Sequence, residues 1–474
     1  MASTTKIPKI RTRFAPSPTG ELHVGGARTA LFNYLYAKHH NGELVLRIED
    51  TDTARSKKEF EKAITNDLLW LSITPDESPE KGGDFAPYRQ SERGSIYKKE
   101  ALRLIENSKA YYCYCSKERL TELKASQKIS KIPSRYDGLC RGNFKKDASI
   151  AEPPVIRFEV PDIKKNEVAF LDGIHGTRFF ETNAYGDFII IGSDEIATYN
   201  FAVVIDDALM EITDVIRGDD HLANTPRQVL LYKALGFKVP RYMHLPLVLG
   251  TDKTPLSKRH SHSSLKTLKE EGFLPEAIVN SLSRLGWAPG EELMSITELA
   301  TLFSGKKISK SASVFTTERL RRFNKLAIER STPERLSTLI QDNFKKTSAE
   351  KITEVLKEVK DNAFTLEELT ALAAPFLSEF KMTTEGQVYL LENDASEILK
   401  ITATEIARGD AVDHDSWKKI TTLLKEKTGK KGKELFMPLR LALTGVTKGI
   451  ELDKVIRLLG EEEAVLRLKK VGAE

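Results

Sequence analysis

At 474 residues, with 40% hydrophobic and 30% charged side chains, the chain has the composition of a soluble globular protein of several domains, not of a disordered or fibrous one. Its 73 basic and 68 acidic side chains give a net charge of +5, which excludes neither a polyanionic nor a neutral partner. No apolar run approaches the roughly 18 residues of a membrane helix and "MASTTKIPKI" has no signal-peptide core, so a cytoplasmic protein with no membrane partner is expected.

Ile10 to Phe14 reads as a short strand that breaks at the turn "PSPTG" (16–20). In "GARTALFNYLYAKHH" (26–40), Ala30, Leu31, Tyr34 and Leu35 recur at helical spacing. "ELVLRIED" (43–50) reads as a second strand and "ARSKKEFEKAITNDLLWLSI" (54–73) as an amphipathic helix. This β-α-β-α order predicts a parallel, Rossmann-like sheet. Residues 110–198 hold all three cysteines and short strands such as "PVIRFEV" and "GDFIIIG", the pattern of an inserted α+β domain. Strand–helix order returns with "TYNFAVVIDDALMEITDVIRGDDH" and the strand-like "MHLPLVLG" (243–250). From about residue 262 the chain reads as largely helical. Chemistry is expected before that point and recognition after it.

The segment "APSPTGELHVGGART" sets Ser17, Thr19, Gly20, His23, Gly25 and Gly26 between the first strand and a helix. In an open α/β sheet ligands bind at this edge. The helix start offers unpaired N–H groups to a phosphate, and glycines let a ligand approach the backbone. The chain has no GxxxxGK[ST], so a P-loop reading fails.

"RFAPSPTGELHVGGARTALFNYLYA", followed by "LRIEDTD", resembles the start of a bacterial-type glutamyl-tRNA synthetase, a class I aminoacyl-tRNA synthetase. "HVGG" is similar to that family's HIGH motif, with Gly26 in place of the second histidine. "YRQSERGSIYKK" (88–99), "YDGLCR" (136–141), "VIDDALMEITDVIRGDDH" (204–221), "SKRHS" (257–261) and "PLRLALTG" (438–445) follow in family order. The resemblance implies a Rossmann-like catalytic domain split into 1–109 and 199–260 by an acceptor-binding insertion at 110–198. A stem-contact helical domain at 261–330 and a mainly α-helical anticodon-binding region at 331–474 would follow.

The implied reaction joins ATP and L-glutamate into glutamyl-adenylate, then transfers glutamate to the terminal adenosine of tRNA(Glu). Two anions must meet, so charge neutralisation and positioning should dominate. By resemblance His23 and Lys258 hold the phosphates with Mg²⁺, and Ser17, Gly25, Leu247, Val248 and Arg259 complete the ATP site. For glutamate the resemblance gives Arg13 and Arg217 as cations, Arg13 for the side-chain carboxylate and Arg217 for the α-carboxylate, with the exchanged order as the alternative. Glu49 would take the ammonium, with Ser17 and Tyr199 as hydrogen-bond partners. Asp52 and Arg55 lie where the tRNA acceptor end must enter. The family's discriminating members read the last anticodon base with an arginine. Here the corresponding "KDNAF" (360–364) has none, which leaves tRNA(Gln) open as a further substrate. A monomer is expected. The alternatives are a tRNA-binding paralogue without aminoacylation activity and a glutamyl-queuosine tRNA-modifying enzyme.

Cys113, Cys115 and Cys140 fall within 28 residues as C-x-C-x24-C, too few for a disulfide scaffold. They supply three thiolates where structural Zn²⁺ wants four ligands. Family members that bind zinc add a histidine two residues after the third cysteine, which is Gly142 here. Tyr136 is the ligand in a related subgroup and the candidate for the fourth corner. The other reading is a remnant that holds no metal.

Three segments look like the family's lysine signature loop: "KISKI" (128–132), "PLSKR" (255–259) and the "KISKS" within "KKISKSAS" (306–313). Only "PLSKR" directly follows a strand-like run of the nucleotide fold. It is therefore expected to be catalytic, with "KKISKSAS" lying beyond the fold as a decoy.

Overall fold

Arg11–Phe14 (β1) leads through Val24–His39 (α1) to Glu43–Leu46 (β2), which pairs with β1 in parallel. This is one βαβ unit with α1 packed on both strands. The computed structural model describes residues 9–52, 54–142, 153–162, 167–181, 185–256, 264–408 and 412–472. They divide into two compact units. The first takes residues up to 268 together with 279–317; the second takes 269–278 together with 318–474. The sequence reading instead kept 261–330 together.

In the first unit, Lys58–Trp70 (α2) and Gly94–Glu106 (α3) follow β2. Ala110–Cys113 (β3), Lys117–Ile129 (α4), Val155–Phe158 (β4), Glu167–Asp172 (β5), Gly176–Glu181 (β6) and Phe188–Ile191 (β7) come next. Then come Tyr199–Leu209 (α5), Asp214–Gly218 (β8), Thr225–Leu235 (α6), Arg241–Leu245 (β9) and Val248–Leu249 (β10). β8 and β9 pair in parallel over five positions. The Thr213 N–H donates to the Arg11 carbonyl at 3.0 Å, which brings β1 beside β8. The β1–β2 and β8–β9 pairs are thus parallel, as β-α-β order predicts.

Three details differ from the sequence reading. The run 243–250 is two strands, because Pro246 has no N–H to continue a ladder. The ladder of the second strand stops at Leu46; Ile48 then bridges Arg89 in parallel. Within 110–198, β3, β4 and β7 form their own antiparallel sheet. The hairpin β5–β6, however, returns to the main sheet, with Asp172 of β5 opposite Tyr242 of β9.

Among the described residues the second unit is helical, without a strand. Asn324 fixes its start: its Oδ1 accepts the Leu274 N–H at 2.7 Å and its Nδ2 donates to the Phe364 carbonyl at 2.7 Å. Arg467 is buried and donates to the carbonyls of Leu443 and Pro375 at 2.8 and 3.0 Å, tying three helices together. "PLRLALTG" ends the helix Lys433–Thr444 at Gly445, whose φ of 75° is the left-handed conformation of a helix C-cap. A Cβ there would lie 2.2 Å from the Lys381 carbonyl oxygen, so only glycine fits. No helix among the described residues is long and apolar enough to cross a membrane.

Candidate active site

The C-terminal edge of β1, the start of α1 and the ends of β8 and β9 enclose a cleft of about 700 Å³. Arg13, Ser17, His23 and Gly25 line it from the first βα turn. Glu49 lines it from the segment after β2, Tyr199 from the start of α5 and Arg217 from β8, with Leu247 and Val248 at the start of β10. The sequence-predicted nucleotide and glutamate residues that can be placed therefore meet in one cavity. Lys258 and Arg259 lie outside the described residues; Pro255 and Leu256, which lead into them, line the cleft.

His23 is the N-cap of α1, a position usually held by Ser, Thr, Asp or Asn. Its Nδ1 accepts the Gly26 N–H at 3.1 Å. The neutral ring therefore carries its proton on Nε2, as a donor for an anion. A Cβ on Gly25 would stand 3.2 Å from the ring, and one on Gly26 would stand 2.9 Å from Leu22. The "GG" of "HVGG" keeps the imidazole seated over the helix start.

A buried ion network, only half visible in the sequence, holds the cleft floor. Arg13 Nε donates to Asp207 Oδ1 at 3.2 Å, and Arg47 Nη1 donates to the same oxygen at 2.6 Å. Arg47 also reaches Glu49 at 3.2 Å. Burial alone would raise the Asp207 carboxyl, but Arg13 and Arg47 outweigh it and hold it below the usual range. Burial pushes the Glu49 carboxyl up, opposed by Arg47 and Arg13. The neighbouring Asp206 turns the other way. It accepts from Gln90 at 2.8 Å, Arg93 at 2.6 Å and Tyr97 at 2.9 Å. This explains the "YRQSERGSIYKK" segment: it anchors α5, which holds Asp207 against Arg13 of the cleft lining.

Arg217 is buried and uses one edge of its guanidinium for support. Nε donates to His244 Nε2 at 3.1 Å, and Nη2 donates to Thr225 Oγ1 and Gln228 Oε1, both at 2.8 Å. Nη1 is buried with no hydrogen-bond partner. Tyr199 Oη meets His221 Nδ1 at 3.0 Å. Burial and Glu49 push that phenol up to about 12, so it stays protonated. Burial also lowers the His221 imidazole, with Arg217 and Arg13 adding to the effect against Asp220.

Sequence reasoning missed Arg28, Arg47, Asp207, His221 and His244. Arg28 lines the cleft as a further buried cation; burial pulls it down to about 10, against Asp219 and Asp220. Its Nε has no hydrogen-bond partner. The available signals were Arg47 inside an apolar strand and two adjacent acids inside the apolar helix "FAVVIDDAL". Asp52 and Arg55 stand apart from the cleft lining. They pair with each other at 2.6 Å on the surface, where Arg55 holds the Asp52 carboxyl down.

Two of the lysine loops are placed. "KISKI" is the exposed end of α4 and the turn after it. "KKISKSAS" is not beyond the fold. Ser313–Val314 (β11) pairs in parallel with β10, and the Ser313 N–H donates to the Leu247 carbonyl at 3.2 Å. The segment braces the strand that lines the cleft, while Lys307 and Lys310 are outside the lining and Lys310 is exposed.

Beyond the cleft, the sulfurs of Cys113, Cys115 and Cys140 lie within 4.8 Å of one another, with Cys115 and Cys140 at 3.6 Å. Tyr136 Oη lies 3.5 Å from the Cys113 sulfur and 3.3 Å from that of Cys115. Bonds of about 2.3 Å to a tetrahedral zinc would set sulfurs about 3.8 Å apart, so this donor set fits the ion. Burial raises the Cys113 thiol, but Tyr136 and Arg157 win and bring it down. Burial and the Cys113 charge push Cys115 up to about 11. A divalent cation would remove that conflict between neighbouring thiolates. Gly142, at a φ of 75°, offers no ligand.

Residues 9–322 match the family model of tRNA synthetases class I (E and Q), catalytic domain, and residues 318–471 match an anticodon binding domain. The chain is 43% identical to a glutamate–tRNA ligase of Carboxydothermus hydrogenoformans, covering 97% of this chain and 99% of the relative. It is 44% identical to glutamate–tRNA ligase 2 of Caldanaerobacter subterraneus, over 98% of this chain and 99% of that one. A crystal structure of a glutamate tRNA ligase from Elizabethkingia meningosepticum in complex with its amino acid superposes with a TM-score of 0.85 at 31% identity. That match covers 98% of this chain and 99% of the other.

Proposed function

The chain belongs to the glutamate–tRNA ligases of the class I tRNA synthetases, and from that membership we propose how its cleft activates glutamate with ATP for transfer to tRNA(Glu). One observation carries the assignment. Arg13 and Arg217 line the same cavity as Glu49, and each keeps guanidinium N–H groups without described partners. Two cations and one anion complement the two carboxylates and the ammonium of glutamate.

Arg13 takes the side-chain carboxylate, Arg217 the α-carboxylate and Glu49 the ammonium, with Ser17 and Tyr199 as partners. ATP enters as its Mg²⁺ complex beside His23 and Gly25, along Leu247 and Val248, with Lys258 and Arg259 over the phosphates. The α-carboxylate oxygen attacks the α-phosphorus and pyrophosphate leaves. His23 donates from Nε2 to a phosphate oxygen. Arg28 adds positive charge to a cleft that must hold several negative groups together.

Asp52 and Arg55 meet the acceptor end, 110–198 supports it, and the region after 330 reads the anticodon. Cys113, Cys115, Cys140 and Tyr136 would hold a structural zinc in that insertion. The ion would supply bracing and no chemistry. The working unit is a monomer, since one chain supplies every cleft residue named here.

Glutamate-dependent ATP–pyrophosphate exchange with and without tRNA tests the reading. Exchange only with tRNA is expected. No exchange under either condition would favour the silent tRNA-binding paralogue. Charging of tRNA(Gln) is a second reading, favoured by the lack of an arginine in 360–364. Arg321 stands over Phe364 at 4.8 Å, so a guanidinium is nonetheless close by. No product on a tRNA(Gln) transcript would reject the second reading.

A further inference from the structure

Arg217 does not meet a carboxylate directly. Its Nε–H points at His244 Nε2, 3.1 Å away, and the far nitrogen of the same ring, Nδ1, lies 2.6 Å from Asp172 Oδ2. Asp172 and His244 are fully buried. The Asp172 carboxylate also accepts the backbone N–H groups of Ile174 and His175 at 2.9 Å and of His244 at 3.1 Å. It is an acceptor on every side, so the proton it shares with His244 sits on Nδ1. Nε2 is then a lone pair, and it receives the Arg217 Nε–H. The three groups form a chain of fixed polarity: carboxylate, neutral imidazole, guanidinium.

We propose that Asp172 and His244 are positioning residues that lock the guanidinium plane of Arg217 and aim its unpaired Nη1 edge at a carboxylate of the amino-acid substrate. This rests on the reading of Arg217 as a substrate clamp. Arginine has five N–H donors in a rigid fork. His244 takes the one on Nε, and Thr225 and Gln228 take the two on Nη2. The two on Nη1 remain.

A neutral imidazole does what a carboxylate at the same place would not. It fixes the direction of Nε–H without opposing the second anion that Arg217 must attract. The contrast within the cleft is direct, since Arg13 is held by Asp207 itself at 3.2 Å. Asp172 is set one ring further back, beyond the imidazole. The relay also explains the β5–β6 hairpin. By pairing Asp172 with Tyr242 in parallel, it carries the carboxylate from the insertion to the back of β9, beside His244. Thr225 lies 3.0 Å from His244 Nε2 and 2.8 Å from Arg217 Nη2, closing the support at the start of α6.

The test is tRNA-supported ATP–pyrophosphate exchange on the full chain, with KM read separately for glutamate and ATP. The variants are Asp172→Asn, His244→Ala, His244→Gln, Thr225→Val and, as reference, Arg217→Ala. Asp172→Asn keeps the shape but lets His244 carry its proton on Nε2, against the Arg217 Nε–H. It should raise the glutamate KM by about tenfold or more while the ATP KM stays within about twofold. His244→Ala should do the same. His244→Gln returns an acceptor near Nε2 and should recover to within about threefold of the parent. Thr225→Val is isosteric and should raise the glutamate KM about threefold, which decides the matter if the other variants do not fold.

Equal rises in both KM values would mean a merely structural role and overturn the proposal. So would a glutamate KM that Asp172→Asn or Thr225→Val leaves unchanged, or a Gln variant no better than Ala. If Arg217→Ala itself leaves the glutamate KM unchanged, the clamp reading fails. If Arg217→Ala raises it and the relay variants do not, only the relay fails.

Discussion

Arg13 is bound to Asp207 through Nε alone, at 3.2 Å, and its two terminal nitrogens have no hydrogen-bond partner among the described residues. The geometry is that of a clamp held from behind. Hydrogen bonds to charged groups contribute roughly 1.5–3 kcal/mol each, so losing the two of the fork should cost roughly 10²- to 10⁴-fold in kcat/KM for glutamate. Arg13→Ala is therefore expected to lose most glutamate activation and keep its ATP affinity, read by exchange kinetics with each substrate varied. Near-normal exchange would remove Arg13 from the site. Asp207→Asn should be less stable than the parent in urea, because Arg13 and Arg47 would share a buried, uncharged partner.

A methyl group at residue 25 would meet the His23 ring at 3.2 Å, which gives a second expectation. In a helix, alanine is favoured over glycine by up to about 1 kcal/mol. Gly25→Ala should therefore leave thermal stability unchanged or raised. The imidazole, however, must shift from its seat on the Gly26 N–H, and a displaced catalytic group can cost up to about 100-fold. A fall in exchange rate without a fall in melting temperature is the expected pairing. Unchanged exchange would show that the ring position is not critical.

Much of this site could be read from the sequence because its residues sit at strand ends and helix starts. Arg13 closes a short strand, His23 opens a helix, and Glu49 follows the second strand. Such positions are fixed by local periodicity and turn residues. Arg47 and His244 were not legible. Arg47 directly follows a strand and His244 lies inside one, both in apolar runs where the face of a single polar side chain is unseen. Their function depends on partners from distant elements, Asp207 for Arg47 and Asp172 for His244. The place of β11 was hidden for the same reason. Two residues of strand carry almost no periodic signal, and its partner β10 is about sixty residues earlier in sequence.

The pairing of Ser313 with Val248 also separates the lysine loops. Lys310 is exposed on the approach to a bracing strand, whereas Leu256, two residues before Lys258 in sequence, is in the cleft lining. Lys258→Ala should abolish adenylate formation, measured by exchange. Lys310→Ala should stay within about threefold of the parent. The reverse pattern would transfer the signature role to 306–313.

Three sulfurs within 4.8 Å, with Tyr136 beside them, predict about one equivalent of zinc in protein purified without chelator. Less than about a tenth of an equivalent would mean a vestigial cluster. Tyr136→Phe should release the ion to a competing dye faster than the parent if the phenol oxygen is the fourth ligand. Equal release rates would leave the fourth corner to another donor.

Acid should weaken the fold through its buried histidines. Burial lowers the His244 imidazole, with Arg217 adding to the effect and Asp172 opposing it. The unfolded ring titrates near about 6.5. Between that value and the lower folded one, the unfolded chain binds a proton that the native chain does not. Stability therefore rises with pH across this window and is lost as pH falls through it. His221, also lowered chiefly by burial, acts with the same sign. The urea midpoint should fall between about pH 7.5 and pH 5.5, before most carboxylates titrate. His244→Gln removes one of these groups and should give a shallower fall. Equal slopes in the two proteins would mean that His244 is not neutral in the native chain, contrary to the hydrogen-bond polarity between Asp172 and Arg217.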